Sequence, residues 1–502
     1  MKKVRDLFSF AALLMLAVFT FSACSDDNDD EKKQVEEAAL ISFGFYAEDN
    51  AGVLSRDYVA TITPGSNAIT IAMPSSVNKS SLVARFTVNE GNKVLVEGVT
   101  QQSQVTKNDF TNPIDYIISN SDGTKNVRIS VTITKSSNVK WSEAATYNAS
   151  TVYSGAVLKV GPTDNTPYIA FKERSDESDK MTVVKLDGSA FGFVGSQSFS
   201  RKVSSSDYDF DIAPDGTLYV AYGNGESTVL SGALSVMKSN GGAWTQVGDE
   251  SVLKAQSKSV ALAAMSGNRL VVNQQNNSNK ADYARRIMVN SIFNGSAWNN
   301  AEGTTSQIFA CVNAGDGSNV YNLYINRGKV DGVNYGMTVQ KYDGSVWTAL
   351  RSNYVREGAT QTSIAGYGIT VAPDGTLYIW TGDDADEAGS YGIRLERLNA
   401  GSSTFSVVGG NILPLGFAVD SHLSISVAVA PDGTPFVAYN NKNDQNYPYV
   451  IYLDSETQQW STPVRLAETA ASDVNIAFAK DGTGYVTFTD GDQHIHLYKY
   501  AE

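Results

Sequence analysis

The stretch Ile212-Ala213-Pro214-Asp215-Gly216-Thr217-Leu218-Tyr219-Val220-Ala221-Tyr222 is repeated almost verbatim further along the chain. It returns as VAPDGTLYIW from Val371, VAPDGTPFVAY from Val429 and FAKDGTGYVTF from Phe478. In Pro214-Asp215-Gly216, proline suits the first central position of a type I turn and aspartate the next. Glycine then takes the left-handed position that re-aligns the returning strand. Each copy therefore predicts a tight hairpin between a small-residue strand and a strand rich in Tyr and Val. Weaker copies sit at Asp164-Asn165-Thr166-Pro167, Gly267-Asn268-Arg269 and Asp316-Gly317-Ser318-Asn319. The anchors at 164, 215, 267, 316, 374, 432 and 481 are 51, 52, 49, 58, 58 and 49 residues apart, which makes seven units.

Each unit carries a second signature. KLDGSAF ends at Phe191, KSNGGAW at Trp244, IFNGSAW at Trp298 and KYDGSVW at Trp347; looser forms end at Phe405 and Trp460. Asn-Gly and Asp-Gly pairs mark further hairpins, each delivering an aromatic to the next strand. Two hairpins in a period near fifty mean four strands per unit, the signature of a β-propeller. The last unit stops after its third strand, at Tyr498-Lys499-Tyr500. Its missing aromatic lies at the other end: Trp141 stands 50 residues before Phe191. Residues 139–147 are therefore expected to supply the fourth strand of the last blade, which leaves no open edge at the joint. The expected fold is all-β, with a seven-bladed propeller over 139–502 closed by an N-terminal strand. This region resembles bacterial propeller repeats of the form PDG-T-hydrophobic-Tyr-Val-Ala-Tyr followed by Lys-Tyr-Asp-Gly-Ser-x-Trp. That family carries no single activity.

Upstream, Leu40 to Lys135 alternates in short runs such as Ala68-Ile69-Thr70-Ile71 and Val127-Arg128-Ile129-Ser130-Val131, separated by turn clusters such as Ser121-Asp122-Gly123-Thr124. Residues 40–136 read as an immunoglobulin-like β-sandwich. The segment also resembles the N-terminal spacer domain of Bacteroidota-type surface lipoproteins. The resemblance rests on Ile71-Ala72-Met73-Pro74, Val99-Thr100-Gln101-Gln102-Ser103 and Asn108-Asp109-Phe110-Thr111-Asn112-Pro113 followed by Tyr116, and it implies spacing or presentation rather than chemistry.

The chain begins with a basic head, Lys2, Lys3 and Arg5, and an apolar run from Leu7 to Phe21 too short for a comfortable membrane span. Phe21-Ser22-Ala23-Cys24 resembles a bacterial lipoprotein signal, with residues 1–23 removed and Cys24 acylated, palmitate included. The acidic Ser25-Asp26-Asp27-Asn28-Asp29-Asp30 resembles the surface-export signal of Bacteroidota-type lipoproteins, and 24–39 suits a flexible tether. The resemblance implies a protein held in the outer membrane by lipid alone and facing the cell exterior. With Cys24 acylated, Cys311 is left as a single thiol and no internal disulfide can form. Loss of Lys2, Lys3, Arg5 and Asp6 with the signal takes the formal charge from −14 to −16. So acidic a surface repels phosphate backbones, which argues against nucleic acid as a partner.

In a four-stranded blade the recurring tight turns share one face of the disk. The irregular segments share the other: Gln274–Arg286, Asn326–Tyr335, Thr381–Tyr391, Asn440–Pro448 and the links between blades. Recognition is expected on the irregular-loop face. Trp380 occupies a slot where other blades have Ala221, Ala438 and Thr487, and with Tyr391 nearby it is a candidate for stacking on a sugar ring. Asp207, Tyr208, His422 and Asp473 enter inner strands and are candidates for the channel mouth. Tyr283, Arg285 and Arg286 form a cationic-aromatic cluster. Each has a plainer reading, a repacked core position or a solvated loop polar. Asp383-Asp384-Ala385-Asp386-Glu387 lacks the alternating oxygens and glycine of calcium loops. His494 and His496 suggest zinc but show no third ligand in the sequence. No metal or cofactor is expected.

Enzyme signatures are missing too. The Asp boxes of propeller sialidases space their Asp and Gly, whereas here the two are adjacent. Copper-radical oxidases need a Cys–Tyr crosslink with histidines, and the three histidines here all fall from His422 onward. Gly-x-Ser-x-Gly and phosphate-loop patterns are absent. The expected partner is an extracellular glycan, with an envelope protein as the alternative and a carbohydrate-active hydrolase or lyase behind both. Cys24→Ala is expected to move the protein from the membrane fraction to the soluble fraction on cell fractionation; continued membrane attachment would refute acylation.

Overall fold

In the computed structural model the described residues are 38–502 apart from 64, 154, 175–178, 363, 365, 385–390, 415–423 and 456. They form an all-β molecule with a short 3-10 turn at Lys442–Asp444. Cys24 and the acidic tether up to residue 37 lie outside the described residues. Among the described residues no helix is long and apolar enough to cross a membrane.

The N-terminal domain packs a three-stranded sheet, centred on Leu40–Phe45, against a five-stranded sheet in which Asn126–Lys135 pairs parallel to Ala68–Met73. Alternation puts Ile69, Ile71 and Met73 on the buried side. Edge-on aromatic pairs, Phe43 with Tyr116 and Phe45 with Phe110, fill the space between the sheets.

Beyond it, the sheets of four strands number seven among the described residues. The first is Val157–Val160, Pro167–Glu173, Lys180–Asp187 and Ala190–Phe193; five more follow in strict chain order. The last is composite: Asn475–Phe478, Gly484–Thr489 and Ile495–Ala501 are completed by Lys140–Tyr147, with Trp141 opposite Tyr500 and Tyr147 opposite Ile495. The innermost strands touch in a ring, each against the next and the seventh against the first. Apolar residues pack between neighbouring sheets, as where Tyr219 and Leu234 meet Leu262 and Val272, or where Tyr485 and Leu497 meet Leu158 and Ile169 across the joint. The core is thus divided among the blade interfaces.

The four full repeats build one turn. In the first, Gly216 N–H donates to Ala213 O at 2.9 Å, Ala213 N–H to Thr217 O at 2.9 Å, and Thr217 N–H to the Asp215 carboxylate at 2.9 Å. The same aspartate bond is 2.9 Å at Asp374, Asp432 and Asp481. Gly216, Gly375, Gly433 and Gly482 have φ of 88°, 82°, 89° and 83°, a region closed to β-branched residues.

A second device ties blade to blade at the periphery. The indole N–H of Trp244 donates to Val194 O at 2.8 Å, that of Trp298 to Val247 O at 3.0 Å, and that of Trp460 to Gly409 O at 2.8 Å. Each indole lies on a glycine of the preceding blade, Gly195, Gly248 or Gly409, where an added Cβ would collide with the ring or the backbone beside it. The sandwich, meanwhile, is seated on the tight-turn face of the last two blades. Lys135 Nζ reaches Asp454 at 3.0 Å and Tyr452 Oη at 3.1 Å, Arg56 pairs with Glu502, and Gly482 lies against the Ser76–Val77 backbone.

The joint of the ring is locked by Glu173, which is 3% exposed. Its Oε1 accepts from Tyr147 Oη (2.8 Å), Ser150 Oγ (2.7 Å) and Gln197 Nε2 (2.6 Å), and its Oε2 from Thr182 Oγ1 (2.8 Å) and Ser198 Oγ (2.6 Å). Tyr147 ends the closing strand, so this carboxylate ties that strand to the first blade. Burial alone would raise its pKa, but the donors Ser198, Gln197, Ser150 and Thr182 outweigh burial and hold it down to about 2. The folded pKa is below the ordinary 4.5, so this stabilisation is complete above that pH and is lost as pH falls through about 2. Glu173→Ala is expected to cost about 1–3 kcal/mol at neutral pH, leaving its donors unpaired. It should also flatten acid-induced loss of stability between pH 4.5 and 2, read by thermal melting across pH. An unchanged acid limb would show the clamp to be energetically silent.

Candidate functional site

The inner strands enclose a cavity of about 800 Å³ along the ring axis. Its wall carries Val157, Ser259, Ala261, Cys311, Asn313, Ile369, Ser426, Ala428, Asn475 and Ala477, small or short side chains that leave the centre open. Its mouth is formed by Lys258, Asn277, Arg286, Phe309, Arg327 and Ile364. These belong to strand entries and second-to-third-strand loops, so the cavity opens on the irregular-loop face, opposite the sandwich.

Charged groups deeper in the wall serve the fold. Asp209 Oδ2 accepts Leu262 N–H of the next blade at 2.7 Å, and Asp211 Oδ2 accepts Ala264 N–H at 2.8 Å. Burial pushes the Asp209 pKa up to about 6, with Lys159 and the amides of Leu262 and Phe210 opposing it. Lys159 Nζ lies 3.3 Å from Asp211. Burial disfavours its charge, but Asp211 and Asp209 outweigh that and raise its pKa. Cys311 is buried and its Sγ donates to Ser259 O at 3.1 Å, a structural thiol.

The sequence-based candidates separate. Tyr208 lines the cavity, but its hydroxyl donates to Gly155 O at 2.9 Å and accepts Lys172 N–H at 3.3 Å. Asp473 does not ring the mouth. It is 1% exposed, with one oxygen accepting Gly155 N–H at 2.6 Å and Ala156 N–H at 3.2 Å and the other Thr489 N–H at 2.7 Å. It caps the edge of the first blade from the seventh, and burial, partly offset by these amides, raises its pKa. His422 lies outside the described residues, as do the side chains of Asp207 and Tyr391. Tyr283 is half-buried against the interface of the second and third blades, its carbonyl accepting Asn276 Nδ2 at 2.8 Å, and Arg285 is exposed. Of that cluster Arg286 reaches the cavity.

Trp380 is a packed residue rather than one displayed on the loop face. It is 7% exposed and joins Tyr378, Ile393, Leu395, Val427 and Tyr439 in the cluster between the fifth and sixth blades. The physical reason is Gly368 on the inner strand directly opposite: an added Cβ there would lie 1.9 Å from Trp380 Cζ2. The missing side chain lets the indole edge through to the cavity wall. Its Nε1–H has no hydrogen-bond partner among the described residues.

Phe309, Arg327 and Lys258 went unnoticed in the sequence. Phe309 is half-buried, edge-on to Tyr335 at 6.4 Å. One signal was available: each stands where a strand meets an irregular loop. Elsewhere, Asp490, Asp492 and His494 bring ligand atoms within 4.8 Å of one another, so His494 gains acidic neighbours that the sequence did not show. Asp490 is already committed: Oδ1 accepts the Asp492 and His494 amides at 2.9 Å, and Oδ2 lies 3.0 Å from His496 Nε2.

Comparison with known proteins gives one family match. The family described as SGBP, N-terminal (surface glycan-binding protein), matches residues 51–133, within the sandwich. No curated protein matches the chain. Solved structures similar to it include a mutant of AofleA from Arthrobotrys oligospora, at 12% identity and TM-score 0.38 over 72% of this chain and 87% of that one. An ulvan lyase of polysaccharide lyase family PL25 gives 12% identity and TM-score 0.43 over 71% and 95%. A mutant Aleuria aurantia lectin in complex with Fucα1-6GlcNAc gives 11% and 0.38 over 72% and 92%.

The setting of Trp380 makes a measurable distinction. Trp380→Ala is expected to lower unfolding free energy by about 3–5 kcal/mol through the void it leaves, read by denaturant titration. A displayed stacking residue would leave stability within about 0.5 kcal/mol.

Proposed function

We propose that this protein is a surface lipoprotein, anchored through Cys24, whose seven-bladed propeller binds an extracellular glycan in the central cavity. The observation that carries the reading is the SGBP N-terminal match over residues 51–133, which supports surface glycan binding at the level of the whole protein. The geometry supports the cavity as the place. Its volume, about 800 Å³, suits a short saccharide segment. The mouth combines an aromatic ring, Phe309, with the amide of Asn277 and cationic side chains, the mixture that sugar rings with one apolar face and many hydroxyls require. The sandwich occupies the other face, so it spaces the propeller without covering the mouth.

A soluble chain without residues 1–38, screened on a glycan array, is expected to retain at least one glycan class. Phe309→Ala is then expected to weaken that binding by about 1–2 kcal/mol in calorimetry, with melting measured in parallel. A fully folded protein that retains no glycan would overturn the proposal; binding indifferent to Phe309→Ala would move the site away from the cavity mouth.

A further inference from the structure

The cavity mouth concentrates positive charge on an acidic protein. Arg286, Arg327 and Lys258 all border it, while the chain as a whole carries a formal −14. Other arginines show what such a chain ordinarily does with its cations. Arg85 is held by Asp49 and Glu48, Arg351 and Arg394 by Glu396, and Arg465 by Asp444 and Glu468. At the mouth, neither guanidinium nor the Lys258 ammonium has a salt bridge or side-chain hydrogen bond among the described residues. Arg286 instead lies in the field of other cations: the charge of Arg327, then burial, then Arg285, pull its pKa below the usual value.

Both are placed by the backbone. Arg286 takes a left-handed φ of 69°, its N–H donating to Asn276 O at 2.6 Å and its carbonyl accepting Ile308 N–H at 2.8 Å. Arg327 N–H donates to Gln307 O at 2.8 Å. Like charges gathered at one opening repel, and an arginine in a strained backbone conformation adds to that cost. An anion seated between them relieves the repulsion, and a planar guanidinium grips carboxylate or sulfate oxygens with paired N–H donors. Phe309 at the same mouth supplies a face for the ring that carries the anion.

We infer that the cavity mouth selects an anionic saccharide, one bearing a carboxylate or sulfate group, which Arg286 and Arg327 clasp together. This rests on the glycan-binding reading and specifies its ligand class. The deeper Lys159 is engaged by Asp211 and adds no free cation.

The test is calorimetry on the soluble chain without residues 1–38, with four probes: an oligogalacturonate, its methyl ester, a sulfated chondroitin oligosaccharide and neutral cello-oligosaccharides. The expected result is binding of the galacturonate, the sulfated probe or both, with the methyl ester and neutral probes at least tenfold weaker, and affinity falling as salt rises. Arg286→Gln and Arg327→Gln are each expected to weaken anionic-probe binding about tenfold, as fits loss of one charge-assisted contact. Thermal melting should not fall, since neither guanidinium holds the fold and each substitution relieves repulsion at the mouth. Chondroitin carries both anions, so loss of its binding on desulfation tells sulfate from carboxylate. Equal binding of ester and acid, or an unchanged affinity when Arg286→Gln and Arg327→Gln are combined, would overturn the inference and leave the glycan-binding reading intact. Binding to no probe and to no array glycan would overturn both, as would capture of an envelope protein through these arginines with every glycan inert.

Discussion

Every blade has an innermost strand that is the edge of its sheet, with backbone amides and carbonyls that no further strand can satisfy. Short polar side chains from the neighbouring inner strand cover them. Asp209 and Asp211 accept the Leu262 and Ala264 amides, and Ser259 accepts that of Cys311. Asn313 donates to Ala261 O and Asn475 to Ala156 O. Asp473 takes Gly155 and Ala156 at the seam. Ring closure, an open centre and satisfied edges are therefore one requirement. It also explains why the channel is polar: Asp209 and Asp211 are there to accept amides of the next blade.

The outer rim solves the complementary problem of angle. A Trp at the head of a fourth strand reaches back to a carbonyl of the previous blade and lies on a glycine there. With the inner edge tied by short polar contacts and the outer edge by a bulky ring, neighbouring sheets are held apart like wedges. The apolar clusters between them fill what that geometry leaves.

The sequence disclosed what depends on local chemistry. A Pro-Asp-Gly turn needs only its own residues, so hairpins, period and the missing fourth strand could all be read before the structure. What stayed hidden depends on partners distant in the chain. Trp380 looks like a displayed indole until Gly368 opposite is seen to make room for it. Asp473 looks like a channel acid until its amides from residues 155 and 156 are found. Val194-Gly195, Val247-Gly248 and Val408-Gly409 were a third repeat, overlooked because valine and glycine carry no turn signature of their own. Arg327 and Phe309 sit at strand ends without a common pattern, and only folding gathers them with Arg286 at one opening.

The sandwich's last strand, Asn126–Lys135, is separated from the ring-closing strand, Lys140–Tyr147, by residues 136–139 alone. A pull on the N-terminal end of the chain would therefore arrive at the seam, the one place where a blade is assembled from two distant segments. The contacts of Lys135 with Asp454, Arg56 with Glu502 and the Ser76 backbone with Gly482 run beside that short link. They give mechanical load a second route, from the sandwich straight into the bodies of the last two blades, so that the closing strand need not bear it alone.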